Sequence, residues 1–213
     1  MAKRELTQDE INTIIASLQE ITDDKLRYNK KTQMIDIVSK KDGKKKEGTA
    51  LIRNLIGHKN TLTINLAIRK GKDGKTYAMI GGATGATDDS KKNDESNGKG
   101  TDVSTQIGEG HPIFGETSGG SIRQEELSMT DLLNHELVHA FAQMNGEARR
   151  DGTANNTYRT DKKETKREVI PKEEAATLGI VPRPSPKGIY YTNENLLRNE
   201  QGKSTRLNYI WNF

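Results

Sequence analysis

Two histidines and a glutamate, spaced as His135-Glu136-Leu137-Val138-His139, are the residues of this chain best placed to do chemistry together. On a helix, positions i and i+4 lie on one face, so both imidazoles reach one metal ion. Glu136 stands one step round the turn, near a water on that metal. Helical H-E-x-x-H is the arrangement of metal-assisted hydrolysis, with two imidazole ligands on zinc and a carboxylate as general base. The chain has 4 histidines in 213 residues, so the pairing does not follow from a histidine-rich composition. The competing reading is two solvated histidines on an amphipathic surface helix.

A catalytic zinc takes three protein ligands and leaves a fourth position open. The chain lacks cysteine, so the third ligand is a histidine or a carboxylate. A metzincin would carry glycine at 142 and histidine at 145; Ala142 and Asn145 exclude that class. The best source is a downstream glutamate on a short helix whose small residues permit close approach. Glu173 and Glu174, followed by Ala175 and Ala176, satisfy this. Glu174 is preferred because Thr177 and Leu178 share its inward face, which leaves Glu173 as a first-turn charge. Helical geometry alone keeps both open. His58 and His111 upstream, and Asp151 and Asp161 downstream, are the weaker alternatives.

These residues need elements to hold them. Leu132, Leu133, Leu137, Val138, Phe141 and Met144 recur at helical spacing. Ser128 or Thr130 can cap the start, Asp131 suits the first turn, and Gly146 suits the stop, which predicts a helix over 129–145. A first helix is expected over 6–23, with Thr7 and Glu10 as a capping box, and another over 49–56. Strands are expected over 32–39, 61–68 and 76–80, with turns at Asp42-Gly43 and Lys72-Asp73-Gly74, and a short one over 103–107. That last strand is a candidate edge for pairing with substrate backbone. Residues 81–101 are rich in Gly, Asp, Ser, Asn and Lys and read as a mobile polar loop. The Gly81–Gly85 run lacks the phosphate-loop pattern. Residues 147–168 read as a polar stretch of uncertain helical character. Pro171 and Gly179 bracket a short helix, and Pro182, Pro184 and Pro186 stiffen the linker after it. The tail, 187–213, ends in Tyr209, Trp211 and Phe213 and is expected to dock on the core.

Bulk composition bounds the remainder. Apolar residues make up 31% and charged residues 30%, which suits one domain over 1–213 with a small core and long polar loops. No run approaches the length of a membrane span and the start lacks the apolar core of a signal peptide, so no membrane partner is expected. The net charge is +4, and the lysine run Lys40, Lys41, Lys44, Lys45, Lys46 reads as a solvated turn. It lacks the interleaved aromatics a single-strand binding face would need, so nucleic-acid binding is the minor reading.

Further motifs extend the picture. His135-Glu136-Leu137-Val138-His139-Ala140, Glu173-Glu174 leading to Leu178-Gly179, and Glu194-Asn195-x-Leu197-Arg198 with Gly202, Arg206 and Tyr209 together resemble the NleD-like zinc metallopeptidases. Gly48-x-x-Leu51-Ile52-x-x-Leu55 and the β-rich 61–66 fit the same pattern. That family includes type III secreted effectors and toxin domains of Rhs-type polymorphic toxins. The resemblance implies an α+β, zincin-like fold with the active-site helix packed on a small mixed sheet. It also implies a gluzincin-type endopeptidase with one Zn2+ held by His135, His139 and Glu174 or Glu173. Glu136 would act as general base on zinc-activated water. A second donor for the developing oxyanion is expected among Tyr190, Tyr191, Arg198, Arg206, Tyr209 and His111, with the tail favoured. Glu194 or Asn195 would orient a ligating histidine through its free ring nitrogen. The expected partners are a protein or peptide substrate and an immunity or delivery partner; the expected place is the cytoplasm or a target cell into which the protein is delivered. The alternatives are a zinc amidase on a non-protein substrate and a non-catalytic metal-binding interaction module.

Overall fold

The computed structural model describes residues 5–70 and 76–209. Helix α1 (Gln8–Ile21) starts on the expected capping box, Thr7 with Glu10. A hairpin follows, β1 (Lys25–Asn29) against β2 (Met34–Ser39), then α2 (Lys46–Ile56). Next come β3 (Leu62–Leu66), β4 (Ile68–Lys70), β5 (Thr76–Ala78) and β6 (Gly82–Ala86). A 3-10 helix (Asp89–Glu95) leads to β7 (Val103–Ile107), β8 (Pro112–Glu116) and β9 (Ile122–Glu126). The long helix α3 (Met129–Asn145) precedes the hairpin β10 (Thr153–Arg159) and β11 (Thr165–Pro171), then α4 (Lys172–Leu178), α5 (Glu194–Glu200) and β12 (Thr205–Arg206).

The architecture is α+β. β7 lies between β3, to which it is parallel, and β6, to which it is antiparallel, so the sheet is mixed. α3 packs on β6 and β7. A second sheet, β12–β8–β9, is antiparallel. The main core joins Ile14, Leu18 and Ile21 of α1, Leu51, Ile52 and Leu55 of α2, Val103 and Ile107 of β7, and the apolar residues of α3. No helix among the described residues is long and apolar enough to cross a membrane.

Three expectations change. Residues 81–101 are not a structureless excursion. They form β6 and the 3-10 helix, tied down where the Ala86 amide donates to Glu95 Oε1 at 2.5 Å and Arg150 pairs with Glu95. Composition misleads there because these contacts are backbone and ionic rather than apolar. β7 is the centre of its sheet, so the edge beside α3 is β6 and not 103–107. The polar stretch 147–168, of uncertain helical character, is not helical: most of it enters a seven-pair hairpin of Thr153–Arg159 against Thr165–Pro171. Its inward face carries Asn156 and Glu168, bonded at 2.8 Å, so hydrophobic alternation does not reveal it. β1, β8, β9 and β12 also carry too few alternating apolar residues to announce themselves. The Lys72-Asp73-Gly74 turn, Trp211 and Phe213 lie outside the described residues.

Asp24 shows how the amino-terminal layer is held. Its buried carboxylate takes Arg53 Nε and Nη2 and the Lys41 amide, each at 2.7 Å. The hydrogen bonds to Arg53 hold its pKa below the ordinary value, against the opposing effect of burial. A depressed carboxylate pKa stabilises the fold above the unfolded value of about 4, and this contribution is lost as pH falls through the folded value. Asp24→Asn should therefore lower the urea midpoint at pH 7, and the gap to wild type should close below about pH 4. An equal deficit at both pH values in urea titrations would contradict this assignment.

Candidate metal centre

α3 carries the motif and is buried nearly all round, from Thr130 to Met144. Ser128 and Asp131 form its capping box, and Gly146, at φ 76°, ends it in the left-handed region where glycine carries no side-chain strain. The surface-helix reading of the histidines fails, since His135 and His139 are each 5% exposed.

Their Nε2 atoms point toward each other, 3.0 Å apart. Glu174 Oε2 lies 3.0 Å from His135 Nε2 and 3.0 Å from His139 Nε2. Three donor atoms thus form a nearly equilateral set that could hold a metal. Tetrahedral zinc with bonds of about 2.0–2.1 Å places its ligand atoms about 3.3 Å apart, so the set has the right size. Glu174 enters from α4, whose Ala175 and Ala176 are buried where that helix meets the core, as small neighbours allow.

The outer nitrogens are engaged as well. His135 Nδ1 is 2.8 Å from Glu194 Oε2, and Arg206 Nη1 donates to the same oxygen at 3.0 Å. His139 Nδ1 is 3.0 Å from Glu173 Oε1 and 3.3 Å from Thr177 Oγ1. Arg183 clamps Glu173 with two bonds, 2.6 and 2.7 Å, and also reaches Thr177. Each histidine thus has a carboxylate behind it, and each carboxylate has a guanidinium. Glu173 stands on the outer, Nδ1 side of His139, whereas Glu174 faces both Nε2 atoms. Arg183 was not anticipated from the sequence. It sits in the proline-rich linker, where an arginine usually reads as a surface charge, yet its side chain is 3% exposed.

Charge supports a cation here. With neutral imidazoles, Glu136, Glu173, Glu174 and Glu194 face Arg183 and Arg206, an excess of two negative charges that a divalent ion would balance. Protein groups alone respond by drawing protons onto the imidazoles. Burial pulls the His139 pKa down, but the charge and hydrogen bond of Glu174, with those of Glu173, outweigh it and raise it to about 10. His135 is also raised, against burial, by Glu174 and Glu194. Burial pushes the Glu194 carboxyl up, but Arg206 and His135 bring it down to about 2.

Glu136 faces β6. Its Oε2 accepts the Thr84 hydroxyl at 2.6 Å, and Thr84 in turn meets Thr105 at 2.7 Å. A Cβ on Gly82 would stand 2.6 Å from Glu136 Oε1, so a side chain there would have to displace the Glu136 carboxylate. Thr84 and Gly82 were also hidden from sequence reading, because both lie in the stretch that reads as loop.

The remaining anticipated residues divide. The Tyr209 ring stacks on His135, with centroids 6.1 Å apart, and burial and the charge of Glu174 push its phenol above the ordinary pKa. Arg206 is buried, spent on Glu194 and on the carbonyls of Asn208 and Tyr209; its Nη2 is 3.5 Å from His111 Nε2. Asn195 brackets the Arg206 backbone with two hydrogen bonds instead of touching a histidine. Arg198 is locked to Glu125, Asp131 and the Ser204 carbonyl, away from the three-atom set. Tyr191 packs on Phe141 under Arg183, and Tyr190 reaches Glu47. His58 bonds Asn145 and Asn60; Asp151 pairs with Arg149 and Lys172; Asp161 is exposed at the β10–β11 turn. None of these joins the donor set.

The solved structures similar to this one include the Clostridium botulinum neurotoxin serotype F light chain, with 13% identity over 82% of this chain and 45% of that one and a TM-score of 0.43. The botulinum neurotoxin type C light chain in its apo, zinc-removed form gives 15% identity over 64% of this chain and 40% of that one, with a TM-score of 0.39. The serotype HA light chain gives 14% identity over 73% and 43%, with a TM-score of 0.39. The chain spans less than half the length of these structures. No curated protein matches its sequence. The M91 peptidase profile, described as an effector protein, matches residues 25–209. This chain therefore belongs to the M91 peptidase family of effector proteins.

Proposed function

We propose that this protein is a zinc-dependent endopeptidase, an effector that hydrolyses peptide bonds in proteins of the cell it enters. The observation that supports it most is the triangle of His135 Nε2, His139 Nε2 and Glu174 Oε2, each 3.0 Å from the others, with Glu136 on the next step of the helix. These three side chains would hold the ion. Bound zinc supplies Lewis acidity, lowering the pKa of water and polarising a carbonyl.

The chain's own groups carry the proton. Glu136 accepts the proton of the attacking water and delivers it to the departing amine nitrogen. The Thr84 hydroxyl occupies Oε2 and fixes the carboxylate rotamer, which leaves Oε1, on the Gly82 side, for the water. Glu194 and Glu173 accept from the outer imidazole nitrogens and so turn both Nε2 lone pairs inward. Arg206 and Arg183 keep those two carboxylates ionised and in place. The Tyr209 phenol, pushed above its ordinary pKa by burial and by Glu174, remains a proton donor and serves the developing oxyanion. Substrate backbone lies along β6, the sheet edge facing Glu136.

Two experiments probe this arrangement. Unfolded protein incubated with the zinc-loaded enzyme should be cut, cutting should stop with a chelator, and added zinc should restore it; cutting insensitive to chelator would refute the metal requirement. Gly82→Ala should push Glu136 aside and lower kcat by about tenfold or more, since base misplacement removes most of a general-base contribution. Its melting temperature should hardly change, because the atoms it meets belong to the flexible Glu136 side chain. Unaltered kcat would argue against the proposed placement of the water.

A further inference from the structure

At the end of the mixed sheet, beside the start of α3, a half-open cavity of about 360 Å³ is lined by Leu66, Ala67, Ile107 and Met129, with Glu109 on its rim. It adjoins the candidate site. Ile107 is the register partner of Gly82, the residue pressed against Glu136. One residue further, the Gly108 amide donates to the Gly81 carbonyl at 2.8 Å. The start of β6, along which the substrate backbone is laid, thus lies one strand from the cavity lining, at the end of the sheet where the cavity opens.

The wall chemistry says which side chain. Main chain forms much of the rim, and five amides there are already spent: Ala67 to Ile107, Met79 to Ala67, Gly81 to Glu109, Gly108 to Gly81 and Glu109 to Met79, between 2.6 and 2.8 Å. A polar side chain entering would lose water and find these donors taken, an uncompensated desolvation. An apolar one loses nothing. Two apolar residues stand uncovered next to it, Met79 at 47% and Ile80 at 74% exposure, in a chain that otherwise buries most of its large apolar residues. The exposed Glu109 adds a negative charge that repels acidic side chains.

We infer that this cavity is a specificity subsite that takes an apolar, leucine- to phenylalanine-sized side chain of the substrate within two residues of the cleaved bond, and that excludes acidic ones. The inference rests on the peptidase reading above. Ala67→Phe fills the cavity; Met129→Ala widens it.

The test is a cleavage profile of a proteome-derived peptide library with the zinc-loaded full chain. Wild type should show one position near the cleaved bond restricted to apolar residues and depleted of Asp and Glu. At that position, the ratio of kcat/KM for leucine over alanine peptides should fall at least about tenfold in Ala67→Phe, the usual scale of pocket discrimination. Met129→Ala should shift the preference toward larger apolar side chains, an opposite change that loss of fold does not produce. A wild-type profile with no apolar position near the bond, or one that neither variant alters, overturns the subsite and leaves the peptidase reading standing. A wild-type chain that cuts no peptide with zinc supplied overturns both.

Discussion

Glu136→Gln is expected to lower peptide hydrolysis by about 10²–10⁴-fold while zinc content and melting temperature stay at wild-type values. The glutamate is buried, 4% exposed, and touches Thr84 and the β6 backbone. Glutamine has the same shape and still accepts the Thr84 hydroxyl through its amide oxygen, so packing should survive. What it lacks is a basic oxygen: an amide does not take the proton of an attacking water. Steady-state kinetics on a cleaved peptide would show the loss in kcat. Residual activity within about tenfold of wild type would contradict the base assignment, because loss of a general base costs more than that.

The second large effect separates two adjacent residues. Glu174→Ala removes the oxygen shared by both imidazoles, and we expect zinc affinity to fall by at least about 10³-fold, with the dialysed protein nearly metal-free. Glu173→Ala leaves the triangle intact but strips the partner from His139 Nδ1, and its expected cost is about 10–100-fold, the scale for residues behind a ligand. Zinc binding contributes folding energy, so the wild type should melt at a higher temperature with zinc than without, and the increment should vanish in Glu174→Ala. Competition against a chelator of known affinity measures both variants. Equal losses, or the larger loss in Glu173→Ala, would contradict the division of roles that the 3.0 Å contacts of Glu174 Oε2 support.

The parts of the site legible in the sequence are those carried by helices. The apolar rhythm from Leu132 to Met144, closed by Ser128 and Gly146, predicts α3 at its observed bounds. Pro171 and Gly179 likewise bracket α4. Helical geometry left Glu173 and Glu174 open because both lie in one turn; only the tertiary position of Arg183 pulls Glu173 outward to the Nδ1 side. The strands were harder. β6 is Gly-Ala-Thr-Gly-Ala, with no large side chain to alternate, and it is a strand because β7 offers it a ladder. The β10–β11 hairpin buries Asn156 against Glu168, a polar pair that mimics a surface pattern. In the tail, Glu194, Arg206 and Tyr209 do reach His135, whereas Arg198 answers to the capping box of α3 through Asp131, a contact between distant segments that no local pattern encodes.

The central claim is where the ion sits. Crystals grown with zinc and measured on both sides of the zinc absorption edge locate it directly. The account predicts one anomalous peak per chain, about 2.0–2.2 Å from His135 Nε2, His139 Nε2 and Glu174 Oε2. A peak bound through Glu173 instead, or no peak between the two imidazoles in zinc-saturated crystals, would contradict it.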